Sequence, residues 1–435
     1  MTSSAIGATM RRMRPALSIG LPLAVLASAC ASAPPAAAPA PTPAEPPPAS
    51  PAAPAAARPP TFEDDVAFLK KFGTVEILQA PSGGQVALSS KYQGRVMTSA
   101  VEPGGQSLGW INRKFIAEGK VGTQFDNYGG EDRFWLGPEG GQFGLYFPPG
   151  APFSFDKWQT PAGFQEGEWS VADMSRSSVT YTRLFRVTNY ARTVFDVEVK
   201  RTVRLLPQAE VEAAVGAPIP GGVRWVAFES KNVITNRGQT AWTRDKGLPS
   251  VWILGMYVPS ADTRTVVPFV TPGGAAGIND AYFGKVPAER LVVDEAAGVA
   301  LFTCDGKHRS KIGVLPMWAK PTLGSYSAAS RLLTVVSYDK PASAREYVNS
   351  MWEMQKDPYA GDVVNSYNDG PTEPGKPPLG GFYEIETSSP AAALAAGASL
   401  THVHRTMHFV GAPAALDGVA QKSLGVSLQK ITGAR

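Results

Sequence analysis

Residues 178–187 read SVTYTRLFRV, residues 193–205 TVFDVEVKRTVRL and residues 224–235 RWVAFESKNVIT. Apolar and polar side chains alternate along each run, and β-branched and aromatic residues are frequent. A period of two puts one row of side chains in a core and the next in solvent, as in an antiparallel strand. The same texture extends both ways, to residues 85–88, 95–100, 144–147, 251–258 and 331–338, with Gly, Pro, Asn and Asp between the runs. It predicts a mainly β chain. At this length we expect a large antiparallel two-sheet β-sandwich with a few peripheral helices. Helices are predicted at three places. Thr61 caps one whose face carries Phe62, Val66, Leu69 and Phe72; a second spans 343–355 from Ser343, and a third 412–424. No internal repeat and no second linker interrupts residues 61–435, which read as one domain.

The first thirty residues read as an address. Arg11, Arg12 and Arg14 precede an apolar stretch from about Ala16 to Ala27, and LASAC (26–30) ends it. Small residues before a cysteine suit a lipoprotein signal peptidase, so Cys30 is the expected lipidation site, and the stretch is too short for a stable transmembrane helix. Acyl chains then anchor the chain to a membrane. Ala31 after the cysteine points to the outer membrane of a cell envelope. Residues 31–60 are almost wholly Ala and Pro and have nothing to bury. They read as an extended tether, up to roughly 90 Å at about 3.1 Å per residue.

The formal charge is +4, from 41 basic and 37 acidic side chains. Removing the three leader arginines leaves the remainder near neutral, which argues against a nucleic-acid partner. Of two cysteines, Cys30 is assigned to lipid. Cys304, in VALFTC (299–304), reads as a buried strand residue without a disulfide. Walker, dinucleotide, nucleophile-elbow and zinc-protease motifs are absent, and no cofactor is expected.

Candidate chemistry concentrates in a few runs. In GGEDRFWLGPEGG (129–141), Glu131, Arg133 and Trp135 fall on one face if the run is a strand, with Glu139 beyond. An acid, a guanidinium and an indole suit a sugar: the charged groups bond hydroxyls and the ring stacks on the apolar face. The plain alternative is an ion pair under a core Trp. In GGFYEIETSSP (380–390), Glu384 and Glu386 share a face, roughly 6.5–7 Å apart along the strand. Carboxylates that close raise one another's proton affinity, which suits acid–base work. NSYNDG (365–370), after Asp362, offers Asn368 and Asp369 for sugar contact or Ca²⁺, though the spacing matches no EF-hand and a simple turn explains it. In THVHRTMH (401–408), His402, His404 and His408 share a strand face, but nothing nearby completes a metal set. NDAYFG (279–284) reads as a polar loop tip presenting Asn279 and Tyr282. DGKHRSK (305–311), with Arg309, reads as a basic hairpin suited to an acidic ligand. Trp242, Trp252 and Trp352 suit sugar stacking or a core.

The runs GGEDRFWLGPEGGQFGLYF (129–147), LPSVWILGMYVPS (248–260), NDAYFGKVP (279–287), DGKHRSKIG (305–313), GDVVNSYNDGP (361–371) and GGFYEIETSSPAAALAAGASLTHVHRTMHF (380–409) resemble an uncharacterised family of bacterial lipoproteins. A more distant resemblance is to the galactose mutarotase (aldose 1-epimerase) superfamily, which implies a β-supersandwich. NVITNRG (232–238) is similar to the strand and turn before that superfamily's catalytic histidine. Ile385-Glu386-Thr387 is similar to the strand bearing its glutamate base, so the resemblance makes Glu386 the base. The acid histidine is missing: Trp252-Ile253-Leu254-Gly255 stands there, and no histidine precedes Lys307. The resemblance therefore implies a sugar site with Glu131, Arg133, Trp252 and Glu386, without standard mutarotation. Three functions stay open: a carbohydrate-binding envelope lipoprotein; a carbohydrate-active epimerase, lyase or hydrolase using Glu384 or Glu386 with Glu131, Tyr282 or His402; and an envelope protein that binds other proteins.

Overall fold

A computed structural model describes residues 58–433, apart from 120, 121 and 123. The expected leader, Cys30 and the tether up to residue 57 lie outside the described residues. The chain begins with α1 (Phe62–Leu69), whose Thr61 hydroxyl accepts from the Asp64 N–H while the Asp64 carboxylate accepts from the Thr61 N–H. This reciprocal cap satisfies two helix-end donors. Strands β1 (Glu76–Gln79), β2 (Gln85–Ser89) and β3 (Arg95–Ala100) then pair in order as a small antiparallel sheet. After α2 (Arg113–Glu118) come β4 (Arg133–Gly137) and α3 (Ala162–Gln165). A long meander follows: β5 (Ser170–Met174), β6 (Ser178–Thr188), β7 (Val194–Leu205), α4 (Gln208–Val215) and β8 (Arg224–Asn236). Next are β9 (Ser250–Tyr257), β10 (Arg264–Pro268), β11 (Ile278–Asn279), β12 (Leu291–Asp294), β13 (Val299–Thr303) and β14 (Ser310–Val314). The last strands are β15 (Thr322–Ser327), β16 (Leu332–Tyr338), β17 (Val364–Asn368), β18 (Tyr383–Ser388) and β19 (Ser399–Val410). Helices α5 (Pro413–Leu424) and α6 (Leu428–Thr432) close the chain.

Ten strands form one sheet in the order β12-β13-β10-β15-β16-β19-β8-β7-β6-β5, and six form another in the order β11-β14-β17-β18-β9-β4. All pairings in both are antiparallel. The two sheets face each other. Phe302, Leu323 and Val336 of the large sheet share one buried cluster with Ile312, Val364 and Ile385 of the smaller. The fold is mainly β with few helices, as the alternation predicts. Along β7 the inward row is Phe195, Val197, Val199, Arg201, Val203 and Leu205, and the intervening residues are exposed or half-buried.

Two predicted elements are absent. Residues 343–355 are not helical. The Tyr347 and Asn349 N–H groups donate to Tyr359 and Pro358 carbonyls, and Gly361 donates back to Tyr347. Bonding to a distant segment replaces the i to i−4 ladder. Residues 144–147 form a bend rather than a strand, with Leu145 donating to the Pro138 carbonyl and Tyr146, Phe147 buried among aromatics.

Candidate functional site

The six-stranded sheet has two chemically different faces. Residues paired directly across strands share a face, so Arg133 lies in line with Leu254, Glu386, Asn365 and Gly313, and Trp135 with Trp252. One row over, Lys311, Tyr367, Glu384 and Met256 line up. The opposite face carries Ile312, Ile385 and Ile253 towards the large sheet. The polar row is therefore the face turned away from the sandwich interior, and it is roofed by loops. Phe125, Phe155, Trp158, Phe283, Trp352, Leu379 and Phe382 descend on it and enclose a pocket of about 80 Å³. Its floor is Arg133, Trp135, Trp252, Leu254, Lys311, Tyr367 and Glu384, with Glu139 and Arg309 at the sides.

Two buried ion pairs organise the floor. Arg133 Nη2 donates to Glu384 Oε1 at 2.7 Å. Lys311 Nζ donates to Glu386 Oε2 at 2.8 Å, and the Trp252 indole N–H donates to the same oxygen at 2.9 Å. The Arg133 guanidinium lies 4.0 Å from the Trp135 ring centroid, and Lys311 Nζ 4.9 Å from that of Trp252. Trp158 donates its indole N–H to Glu139 Oε1 at 2.8 Å. Several polar atoms in this packing are buried without a partner: Arg133 Nε and Nη1, Trp135 Nε1, Arg309 Nε and Glu386 Oε1.

Burial sets the proton affinities. Desolvation raises Glu384 to about 7, opposed by Arg133 and reinforced by Glu386. Burial also raises Glu139, opposed by Lys311 and indole donors. For Lys311, burial alone would lower the pKa, but Glu386 and Glu139 more than reverse it, so the ammonium is held charged. Beside the pocket, Tyr282 donates to Asp362 Oδ2 at 2.5 Å, and burial lifts Asp362 to about 6.

Among the residues singled out from sequence, Arg133, Trp135, Glu139, Trp252, Arg309 and Glu384 meet at this pocket, with Glu386 directly behind Trp252 and Lys311. Asn279 and Tyr282 sit next to it around Asp362: Tyr282 bonds that carboxylate, and Asn279 lines a neighbouring cavity with it. Asn368 and Asp369 shape the rim. Asn368 donates to the His308 carbonyl and accepts from the Gly306 N–H, while Asp369 Oδ2 accepts from the Gly380 and Gly381 N–H groups. They build turns, and among the described residues no group of acidic, His or Cys side chains is arranged for a metal ion.

Two placements correct the sequence reading. Glu131 does not share the pocket with Arg133. Its N–H donates to the Val96 carbonyl, off the end of β4, and its carboxylate accepts from Ser99 Oγ at 2.9 Å and lies 3.1 Å from His408 Nε2 in the core. His402 faces the sandwich interior, 2.9 Å from Thr387 Oγ1 on the face of β18 opposite Glu386. Neither can reach a ligand above the floor. The sequence reading passed over Trp158, Phe155, Phe283 and Phe382, which come from loops, and gave Lys311 no role of its own. A lone lysine in the apolar run KIGV was the available signal for the last.

A family model matches residues 60–435. The chain belongs to the Family of unknown function (DUF6786). This DUF6786 protein has no match among curated proteins. It is similar to a solved structure of a candidate aldose 1-epimerase from Escherichia coli K12, at 13% identity over 77% of this chain and 98% of that one, with a TM-score of 0.49. A galactose mutarotase-like protein from Lactobacillus casei is 12% identical over 77% of this chain and all of its own, with a TM-score of 0.42. A galactose mutarotase related enzyme from Lactobacillus acidophilus is 9% identical over 77% and 97%, with a TM-score of 0.41. The family model bears out the resemblance to an uncharacterised family.

Proposed function

We propose that this DUF6786 protein binds a sugar in the pocket above its six-stranded sheet. The carrying observation is the combination of indole walls with unmet hydrogen-bond groups. The indoles of Trp135, Trp158, Trp252 and Trp352 line the pocket, while Arg133 Nε and Nη1, Trp135 Nε1 and Arg309 Nε are buried donors lacking an acceptor. A buried polar group without a partner is costly. A ring that is apolar on its faces and hydroxylated at its edge satisfies both kinds of surface at once. Calorimetric titration of the full chain with mono- and disaccharides is expected to show saturable binding accompanied by a change in Trp emission. Trp252→Ala is expected to weaken it about tenfold or more, since stacking on one aromatic contributes about 1–3 kcal/mol in comparable ring contacts. Sugar affinity equal in that variant and the wild type would sink the reading.

A second reading, acid–base chemistry on the bound sugar, is favoured by one further observation. Glu384 and Glu386 lie on the same face of one strand, roughly 6.5–7 Å apart along it. Their surroundings differ: Glu384 is lifted to about 7, whereas Glu386 is tied to an ammonium. Unequal carboxyl environments allow one group to donate a proton while its neighbour accepts. If the protein turns over its sugar, the rate falls as pH rises through about 7, where Glu384 loses its proton. Glu384→Gln is expected to abolish that limb with a drop of about 10²–10⁴-fold in rate. A limb that survives in the variant would assign it elsewhere.

A further inference from the structure

The charges around the pocket do not cancel. Arg133 is matched by Glu384 and Lys311 by Glu386. Arg309 is not: among the described residues no carboxylate lies within salt-bridge distance of it. Its guanidinium is instead gripped by aromatic faces, 3.8 Å from the Phe283 centroid and 5.4 Å from that of Phe155. Its Nε is buried and has no acceptor. The turn beneath it is fixed by Asn368, which bonds Gly306 and His308. A guanidinium is charged at any physiological pH, and its planar fork matches an acid group. Here one is held at the pocket beside the Tyr367 hydroxyl, with no carboxylate in direct contact. Arg133, which lines the same pocket, also has two nitrogens without a partner.

We propose that the ligand is an acidic sugar, a pyranose bearing a carboxylate or a phosphate, seated with its acid group on Arg309 and its ring hydroxyls towards Arg133. This deepens the sugar-binding reading and rests on it. The remaining acids do not oppose it: burial draws Glu139 and Glu384 towards their neutral forms.

The test is titration of the full chain with matched pairs: galactose against galacturonate, glucose against glucuronate, and glucose against glucose 6-phosphate. At least one acidic member is expected to bind about tenfold or more tightly than its neutral partner, as charge-assisted bonds to a fixed guanidinium predict. Which acid wins separates a uronate from a sugar phosphate. Raising the salt is expected to weaken the acidic ligand and leave the neutral one nearly unchanged, a readout that needs no variant. Arg309→Gln is expected to erase the preference, weakening the acidic ligand far more than its neutral partner. Neutral sugars that bind as tightly as their acidic partners would overturn the charge assignment and leave the sugar site standing. Silence from every sugar, acidic and neutral, would overturn both.

Discussion

At the scale of single residues, Lys311 and Glu386 form the pair on which the site depends. Both are almost fully buried, and each is the other's ion-pair partner. Breaking a buried pair by removing one partner leaves an uncompensated charge and typically costs about 3–5 kcal/mol, while replacing both with apolar groups is close to neutral. Glu386→Gln is therefore expected to lose stability by about that amount. The Lys311→Met/Glu386→Gln double variant is expected to recover most of it in urea melts. Additive losses in that cycle would show that the pair is not coupled. The adjacent alternation was readable: Glu384 and Glu386 share a face because a strand repeats every two residues. Glu131 was misread for a physical reason. Gly129 and Gly130 take positive φ values of 87° and 113°, and the backbone then bonds to Val96 instead of continuing β4. The pleat does not extend back to residue 131, so the parity rule fails there.

Among the elements, β19 shows how a strand pattern hides its destination. His402, His404 and His408 share one face, as their spacing predicts, but that face is the interior of the sandwich. His402 and His404 flank the Thr387 hydroxyl at 2.9 Å each. Burial lowers His402 to about 3, helped by His404, and lowers His404 to about 4. The unfolded chain protonates these rings near pH 6.5, so it binds more protons than the folded chain below that value. Their neutral forms contribute stability that is present above pH 6.5 and is lost as the pH falls towards 4. Each ring adds a slope of up to about 1.4 kcal/mol per pH unit in that window. Glu384 and Asp362 are raised instead, and push the other way. The test is therefore a comparison: His402→Gln should show a shallower acid loss between pH 6.5 and 4 than the wild type. Parallel curves would contradict the assignment.

For the whole molecule, one side chain joins all three sheets. Arg201, on β7, is fully buried within an otherwise apolar inward row. Its Nε donates to the Gly94 carbonyl beside β3, its Nη1 to Asn232 on β8, and its Nη2 to Asp132 beside β4. Arg201→Met strands Asp132 in the core and is expected to cost about 3–5 kcal/mol. It should also separate the unfolding of the small sheet from that of the sandwich, seen as two transitions in denaturant where the wild type shows one. A single unshifted transition would rule out the joining role. The sequence by itself determined that the chain is mainly β, where its long strands run, and that Arg133, Trp135, Glu384 and Glu386 stand on strand faces, because period-two alternation is local. It determined the α1 cap and α5 for the same reason. Only the tertiary structure decided which face looks outward, that loops bearing Trp158, Phe155 and Phe283 close over it, and that residues 343–355 give up a helix to bond with 358–361. These outcomes depend on contacts between residues far apart in the chain, which no local period encodes.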